Sequence, residues 1–253
     1  MKSNNYRMIG GLALPALLAL SACGDGPTGP DGPTSVALSL SVPQPAAAAS
    51  GFAAFALVQS DGANTLVLDR VAIVLRELEL ERQFDECDAM GSADQCEKFE
   101  VGPRLLELPL DGGLFAVGNV AVPPGSYDEV EFDIHKPSEG SADDAQFIQS
   151  NPDFAEVSIR VEGTYNGEAF VFLQDLMEKQ ERELTPVLAV EAGMAPSNLT
   201  LEMDVLTWFT DAQGQLVDPE TANKGGDNEN LVEANIKASI DAYKDDDRDG
   251  RRD

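Results

Sequence analysis

The chain has 253 residues and a formal net charge of −28, from 45 acidic against 17 basic side chains. Such a chain is repelled by nucleic acid and by anionic lipid headgroups, which excludes nucleic acid as a partner and favours cations. Its length allows one large domain or two small ones.

Residues 1–22, MKSNNYRMIGGLALPALLALSA, have the three-part layout of an export signal. Lys2 and Arg7 give a positive start, an apolar core of about a dozen residues follows, and Ser21 and Ala22 close it. That core is short for a membrane span, which needs roughly 20 residues. The run Leu20-Ser21-Ala22-Cys23 resembles the lipobox of bacterial lipoproteins. The resemblance implies cleavage before Cys23, diacylglycerol on its sulfur and an acyl group on its new amine. An ordinary signal peptide with an incidental Cys is the plainer alternative. Gly24, not Asp, follows Cys23, which by the Gram-negative lipoprotein sorting rule implies the outer membrane. Removing the leader leaves 231 residues and takes the net charge to −30.

Residues 23–34, CGDGPTGPDGPT, hold three Gly-Pro-x triplets, too few for a collagen helix. Pro27, Pro30 and Pro33 favour extended backbone, so the stretch reads as a tether reaching roughly 35 Å.

From residue 35 the pattern turns to strands. SVALSLSV alternates Val36, Leu38, Leu40 and Val42 with small residues. In 65–83, Leu, Glu and Arg content suggests helix, but Glu at every second position in the second half favours strand. That reading puts Val74, Arg76, Leu78 and Leu80 on one face. Residues 71–75 are apolar on both faces and belong deep in a sheet. Cys87 and Cys96 enclose eight residues including Gly91. In an exported protein they read as a local disulfide, contributing about 2–3 kcal/mol in the chain-entropy model. The spacing is not that of a redox pair. Zinc is disfavoured because the one histidine, His135, lies far along the chain.

RLLELPL is another apolar segment, and Pro123-Pro124-Gly125 is a turn. Val130, Phe132 and Ile134 then alternate with Glu129, Glu131, Asp133 and His135, which places His135 on the solvated face. Asn166-Gly167 between two alternating runs specifies a tight hairpin. TPVLAVEA and NLTLEMDVLTWF add strands, the latter with Leu199, Leu201, Met203 and Val205 on one face. Trp208, Phe209, Phe170 and Phe172 read as core more readily than as a sugar-stacking surface. After a polar loop from 210, residues 229–243 take a helical period, with Asn228 at the N-cap.

The C-terminal residues 245–253 carry a chemical signature. Asp245-x-Asp247-x-Asp249-Gly250 matches the opening of a calcium loop: alternate carboxylates converge on one centre, and Gly permits the sharp bend. Arg251 could add its carbonyl and Asp253 a further ligand. The run stops short of the bidentate Glu that closes such loops, so the expected affinity is weak, and a frayed acidic tail is the plainer alternative.

The layout resembles bacterial lipoproteins carrying the domain of unknown function type 4382. The resemblance is carried by residues 66–134, with a Glu-rich strand, LLELPL, and the turn and strand PPGSYDEVEFDI. It implies a β-sandwich and a cell-envelope address. The expected architecture is therefore a leader (1–22), tether (23–34), β-sandwich domain (35–209), loop and packed helix (210–244) and acidic tail (245–253). The fold class is mainly β, an antiparallel sandwich of immunoglobulin-like or prealbumin-like type with one C-terminal helix. The expected function is that of an outer-membrane lipoprotein, a non-catalytic binding or structural module for glycan or envelope protein, stabilised by Ca²⁺. The alternative is an envelope hydrolase with paired carboxylates, of glycoside hydrolase type.

Overall fold

The computed structural model describes residues 34–44, 56–83 and 102–253. The leader, Cys23, most of the tether, and Cys87 with Cys96 lie outside the described residues. Strands are β1 (Thr34–Ser41), β2 (Leu57–Ser60), β3 (Thr65–Arg82), β4 (Arg104–Glu107), β5 (Phe115–Val122) and β6 (Gly125–Ile134). After helix α1 (Ala142–Ser150) come β7 (Ile159–Tyr165), β8 (Glu168–Gln174), β9 (Glu178–Val190) and β10 (Ser197–Met203). Helix α2 (Glu229–Ala238) and β11 (Ile240–Lys244) complete the order.

These strands form a mainly β, two-sheet sandwich. One sheet runs β11-β10-β1-β5; the other runs β8-β7-β3-β6-β9, with β2 and β4 also paired to β3. The ladders are antiparallel except β1–β10, which is parallel. The inward residues of both sheets form one core, including Leu40, Leu80, Phe132, Phe172, Leu201 and Trp208. Fully burying each such side chain contributes roughly 1.5–3 kcal/mol.

Strand β3 is the spine of the larger sheet, and its side chains do not keep one parity. Leu66 and Leu68 point into the core, then Val71, Ile73 and Leu75, then Leu78 and Leu80. Register shifts between Leu68 and Arg70, and between Arg76 and Leu78, account for the two changes. Each bulge adds one residue and flips the alternation, so the apolar set stays inward. This corrects the expected face: Leu75, not Val74, lies with Leu78. Residues 71–75 are buried on both faces as expected, because Ala72 and Val74 are covered by Phe147 and Phe154. At the first bulge a Cβ on Gly163 would lie 2.0 Å from the Val67 carbonyl oxygen, so only Gly fits. The predicted hairpin joins β7 to β8, with Asn166 at φ 54 and Gly167 at φ 86.

Helix α1 was not anticipated, and it overturns the reading of His135. Ser141 caps the helix, accepting from Asp144 N at 3.1 Å. The helix then lies over the end of β6 and buries His135, which is 6% exposed. Its Nε2 meets Asp144 Oδ1 at 2.8 Å, and Asp144 Oδ2 accepts from Ser138 N at 3.1 Å. Burial pushes the Asp144 carboxyl up, but the Ser138 amide and the His135 ring outweigh it and hold the group below the usual range.

The expected helix over 229–243 stops at Ala238. Ile240, Ala242 and Tyr243 continue as β11 against β10, from Met203↔Ile240 to Leu199↔Lys244. Ser239, the last cap, also accepts the Trp208 indole N–H at 2.7 Å, which holds the chain at the corner. The C-terminal segment is thus an edge strand of the smaller sheet. Asn228 occupies the N-cap position, but its side chain bonds Thr221 Oγ1 at 2.8 Å instead of the helix. Trp208, Phe209, Phe170 and Phe172 are all buried core, with Phe209 edge-on to both phenylalanines.

Candidate functional site

The C-terminal loop is built on β11. Asp245 follows the strand and is fully buried. Its Oδ2 accepts from Thr200 Oγ1 at 2.9 Å and Gly250 N at 3.2 Å, and its Oδ1 accepts from Asp249 N at 3.0 Å. The Thr200 hydroxyl accepts from Asn198 Nδ2 at 3.0 Å, and Asn198 Oδ1 accepts from Ser39 Oγ at 2.9 Å. A buried polar chain therefore runs from β1 through β10 into the loop. The sequence pattern hides it, because Ser39, Asn198 and Thr200 look like ordinary outward strand positions.

Three of the four predicted aspartates converge. Asp245, Asp247 and Asp253 each offer a carboxylate oxygen within 4.8 Å of the others. Asp249 does not join them; its Oδ1 accepts from Arg251 N at 2.9 Å. Gly250 supplies the expected bend at φ 76. Tyr243 pins the loop: its one phenolic proton is shared between Gly250 O at 2.8 Å and Glu202 Oε2 at 3.1 Å. Burial, with Glu202 nearby, pushes its phenol up to about 12, so it remains a donor. Three carboxylates suit a hard cation wanting six to eight oxygens, with backbone carbonyls and water completing the shell. A competing cation is already present: Lys244 Nζ lies 2.7 Å from Asp246 Oδ2 and 2.9 Å from Asp253 Oδ2. Asp241, a further candidate ligand, is paired with Arg252 at 2.7 Å.

The second feature is a cavity of about 460 Å³ between the sheets. One wall is Leu38 of β1 with residues 117–121 of β5; the other is residues 75–78 of β3, Leu106 of β4 and Phe132 of β6. Leu38, Leu75 and Leu78 remain 7–8% exposed, whereas Leu40, Leu66 and Leu68 in the closed core are at 0%. Both walls are irregular where they meet the cavity. Glu77 sits at φ 55 in the second β3 bulge, and Gly118 at φ 153 marks the shift between β1 and β5. A non-glycine residue at positive φ costs on the order of 1–3 kcal/mol and persists where the surroundings impose it. The polar lining comprises Arg76, Arg104, Glu77 and Asn119.

On the larger sheet, carboxylates stand in rows across three strands. Glu81 lies opposite Glu129, which lies opposite Glu183; Glu79 lies opposite Glu131, which lies opposite Glu181. Lys179 pairs with Glu131. Burial, then the neighbouring carboxylates, raises Glu81, Glu129 and Asp133 above the usual range.

No family model matches the chain, and no curated protein matches it. Among solved structures it is similar to MbnP from Methylosinus trichosporium, at 14% identity and a TM-score of 0.37, over 70% of this chain and 78% of that one. Among the described residues, no helix is long and apolar enough to cross a membrane.

Proposed function

We propose that this chain is a lipid-anchored protein of the outer membrane whose sandwich is a non-catalytic binding module, with Ca²⁺ at the C-terminal loop. The observation that carries the binding reading is the inter-sheet cavity. Its walls are apolar, it is held open by bulges on both sides, and its volume of about 460 Å³ falls in the range of about 300–1,000 Å³ typical of small-ligand sites. A glycosidase of the paired-carboxylate kind needs two carboxyls roughly 5–10 Å apart across a cleft. Among the described residues the cavity lining includes one, Glu77, and that residue pairs with Arg76 at 3.4 Å. The anchor reading rests on the leader and Cys23; two or more acyl chains hold a protein durably where one is marginal.

Fractionation tests the address. Wild-type protein is expected with outer-membrane vesicles, and Cys23→Ser protein in the soluble fraction. A Cys23→Ser protein that still sediments with membranes contradicts the lipid anchor.

A further inference from the structure

We propose that the cavity takes a single-chain amphipathic anion: a fatty carboxylate whose tail lies between the sheets and whose head meets Arg76 and Arg104. The proposal rests on reading the sandwich as a binding module and names its ligand class. Three observations carry it. First, the interior of the cavity is hydrocarbon, from Leu38, Leu75, Leu78, Leu106 and Phe132, and offers a tail nothing but dispersion and exclusion of water. A volume of about 460 Å³, toward the lower end for small-ligand sites, suits one alkyl chain.

Second, the rim has the opposite sign to the rest of the protein. Acids outnumber bases 45 to 17 over the chain. Yet among the described residues the charged lining is two arginines against one glutamate. Several cations elsewhere are claimed by carboxylates: Arg70 by Glu107 and Glu162, Arg160 by Glu162, Lys224 by Asp175, and Lys237 by Glu178 and Glu233. Arg182 meets Gln180 and backbone carbonyls instead. Among the described residues, the Arg104 guanidinium has no hydrogen bond or ion pair, although acids are abundant. Arg76 forms one ion pair among the described residues, to Glu77 through Nε, with Asp133 opposite it on β6. The guanidinium fork matches a carboxylate in two parallel hydrogen bonds, so the head group that best satisfies this rim is a carboxylate.

Third, the two bulges bring the polar and apolar parts into register. The β3 bulge places Arg76 and Glu77 at the rim between Leu75 and Leu78, both of which line the interior. Bulges of this kind re-aim side chains beside binding sites.

The test is isothermal titration of the Cys23→Ser full chain, so that no detergent competes for the cavity. Decanoate, decanol and decyltrimethylammonium serve as probes sharing one tail. Decanoate is expected to bind one per chain and at least about tenfold more tightly than decanol, with no heat from the ammonium compound. The double variant Arg76→Gln/Arg104→Gln changes one part-exposed and one exposed side chain and no buried one. It should bring decanoate down to the affinity of decanol while leaving decanol unchanged. Val120→Trp, on the inward face of the edge strand β5, should block both. Equal binding of decanoate and decanol by the wild type, or an unchanged preference in the double variant, overturns the head-group assignment and leaves the binding module standing. No heat from any probe overturns both.

Discussion

Glu81 lies directly across the β3–β6 ladder from Glu129, so two like charges face each other on adjacent strands. Such pairs oppose folding by roughly 0.2–1 kcal/mol each. Glu129 also faces Glu183 on β9. The carboxyls of Glu81, Glu129 and Asp133 therefore hold protons more tightly in the folded protein than in the unfolded chain. A raised folded value means that the stabilisation is fully present below the unfolded value, about 4 for these carboxyls, and is lost as pH rises through the folded value. Asp61, Asp175 and Glu162 are shifted the other way. Backbone amides of Asn64, Leu216 and Ala63 hold Asp61 down, Lys224 holds Asp175, and Arg160 holds Glu162. Their stabilisation exists above the unfolded value and is lost as pH falls through the folded one. The melting temperature should thus rise between pH 7.5 and about 5 and fall in stronger acid. Glu129→Gln should raise the pH 7.5 value by about 1–4 °C and flatten the rise. Scanning calorimetry decides this; a steady fall from pH 7.5 to 5 would contradict it.

Replacing Asp144 with Ala leaves the buried His135 ring without its partner and removes the acceptor for Ser138 N. A buried polar group left unsatisfied costs about 1–3 kcal/mol. The loss should be local, because α1 covers only the small cluster of Ala72, Val74 and Phe154. Proteolysis in 136–152 should accelerate before global unfolding does. Unchanged cleavage and unchanged melting would remove the structural role assigned to the pair.

Gly163→Ala should be among the most damaging single-methyl additions in the chain, because the new Cβ meets backbone at 2.0 Å and not a side chain that can swing away. A loss at or beyond the upper end of the usual 1–3 kcal/mol for overpacking is expected. Chemical denaturation measures it. A variant within about 0.5 kcal/mol of wild type, the scale of ordinary surface changes, would mean that the bulge at Leu68 and Arg70 relaxes freely.

Calcium should stabilise the protein through the C-terminal loop. With a dissociation constant in the weak extracellular range, roughly 10⁻⁴–10⁻³ M, about 5 mM Ca²⁺ gives on the order of 1–2 kcal/mol. That corresponds to a rise of about 2–8 °C in melting temperature. Asp247 is exposed, so Asp247→Asn should abolish the shift with little effect on the ion-free protein. A shift that survives this substitution would move the ion elsewhere, the glutamate rows being the next candidate. No shift in wild type would leave Lys244 as the cation that neutralises Asp246 and Asp253.

The strands were legible where alternation is uninterrupted, as in Val130, Phe132 and Ile134, or where a turn dipeptide announces itself, as in Asn166-Gly167. The bulges of β3 were not, because an inserted residue flips the parity without any local sign in the sequence. β11 was misread since Ile236, Ile240 and Tyr243 fit a helical period as well as a helix-to-strand corner. His135 looked solvated because the cover comes from α1, whose sparse apolar residues Phe147 and Ile148 gave a weak signal. The aspartate loop could be read as a local motif, but its buried support from Ser39, Asn198 and Thr200 could not. The cavity joins β1, β3, β4, β5 and β6, and no stretch of sequence contains it.

The measurement that bears most directly on the central claim is native mass spectrometry of the protein released from its own membranes. A lipid-anchored binding module should have the mass of the chain from Cys23 plus its acyl groups. It should also carry one small molecule that leaves on activation and is missing from the Val120→Trp variant. An unacylated Cys23 and a chain that carries no small molecule would contradict the account.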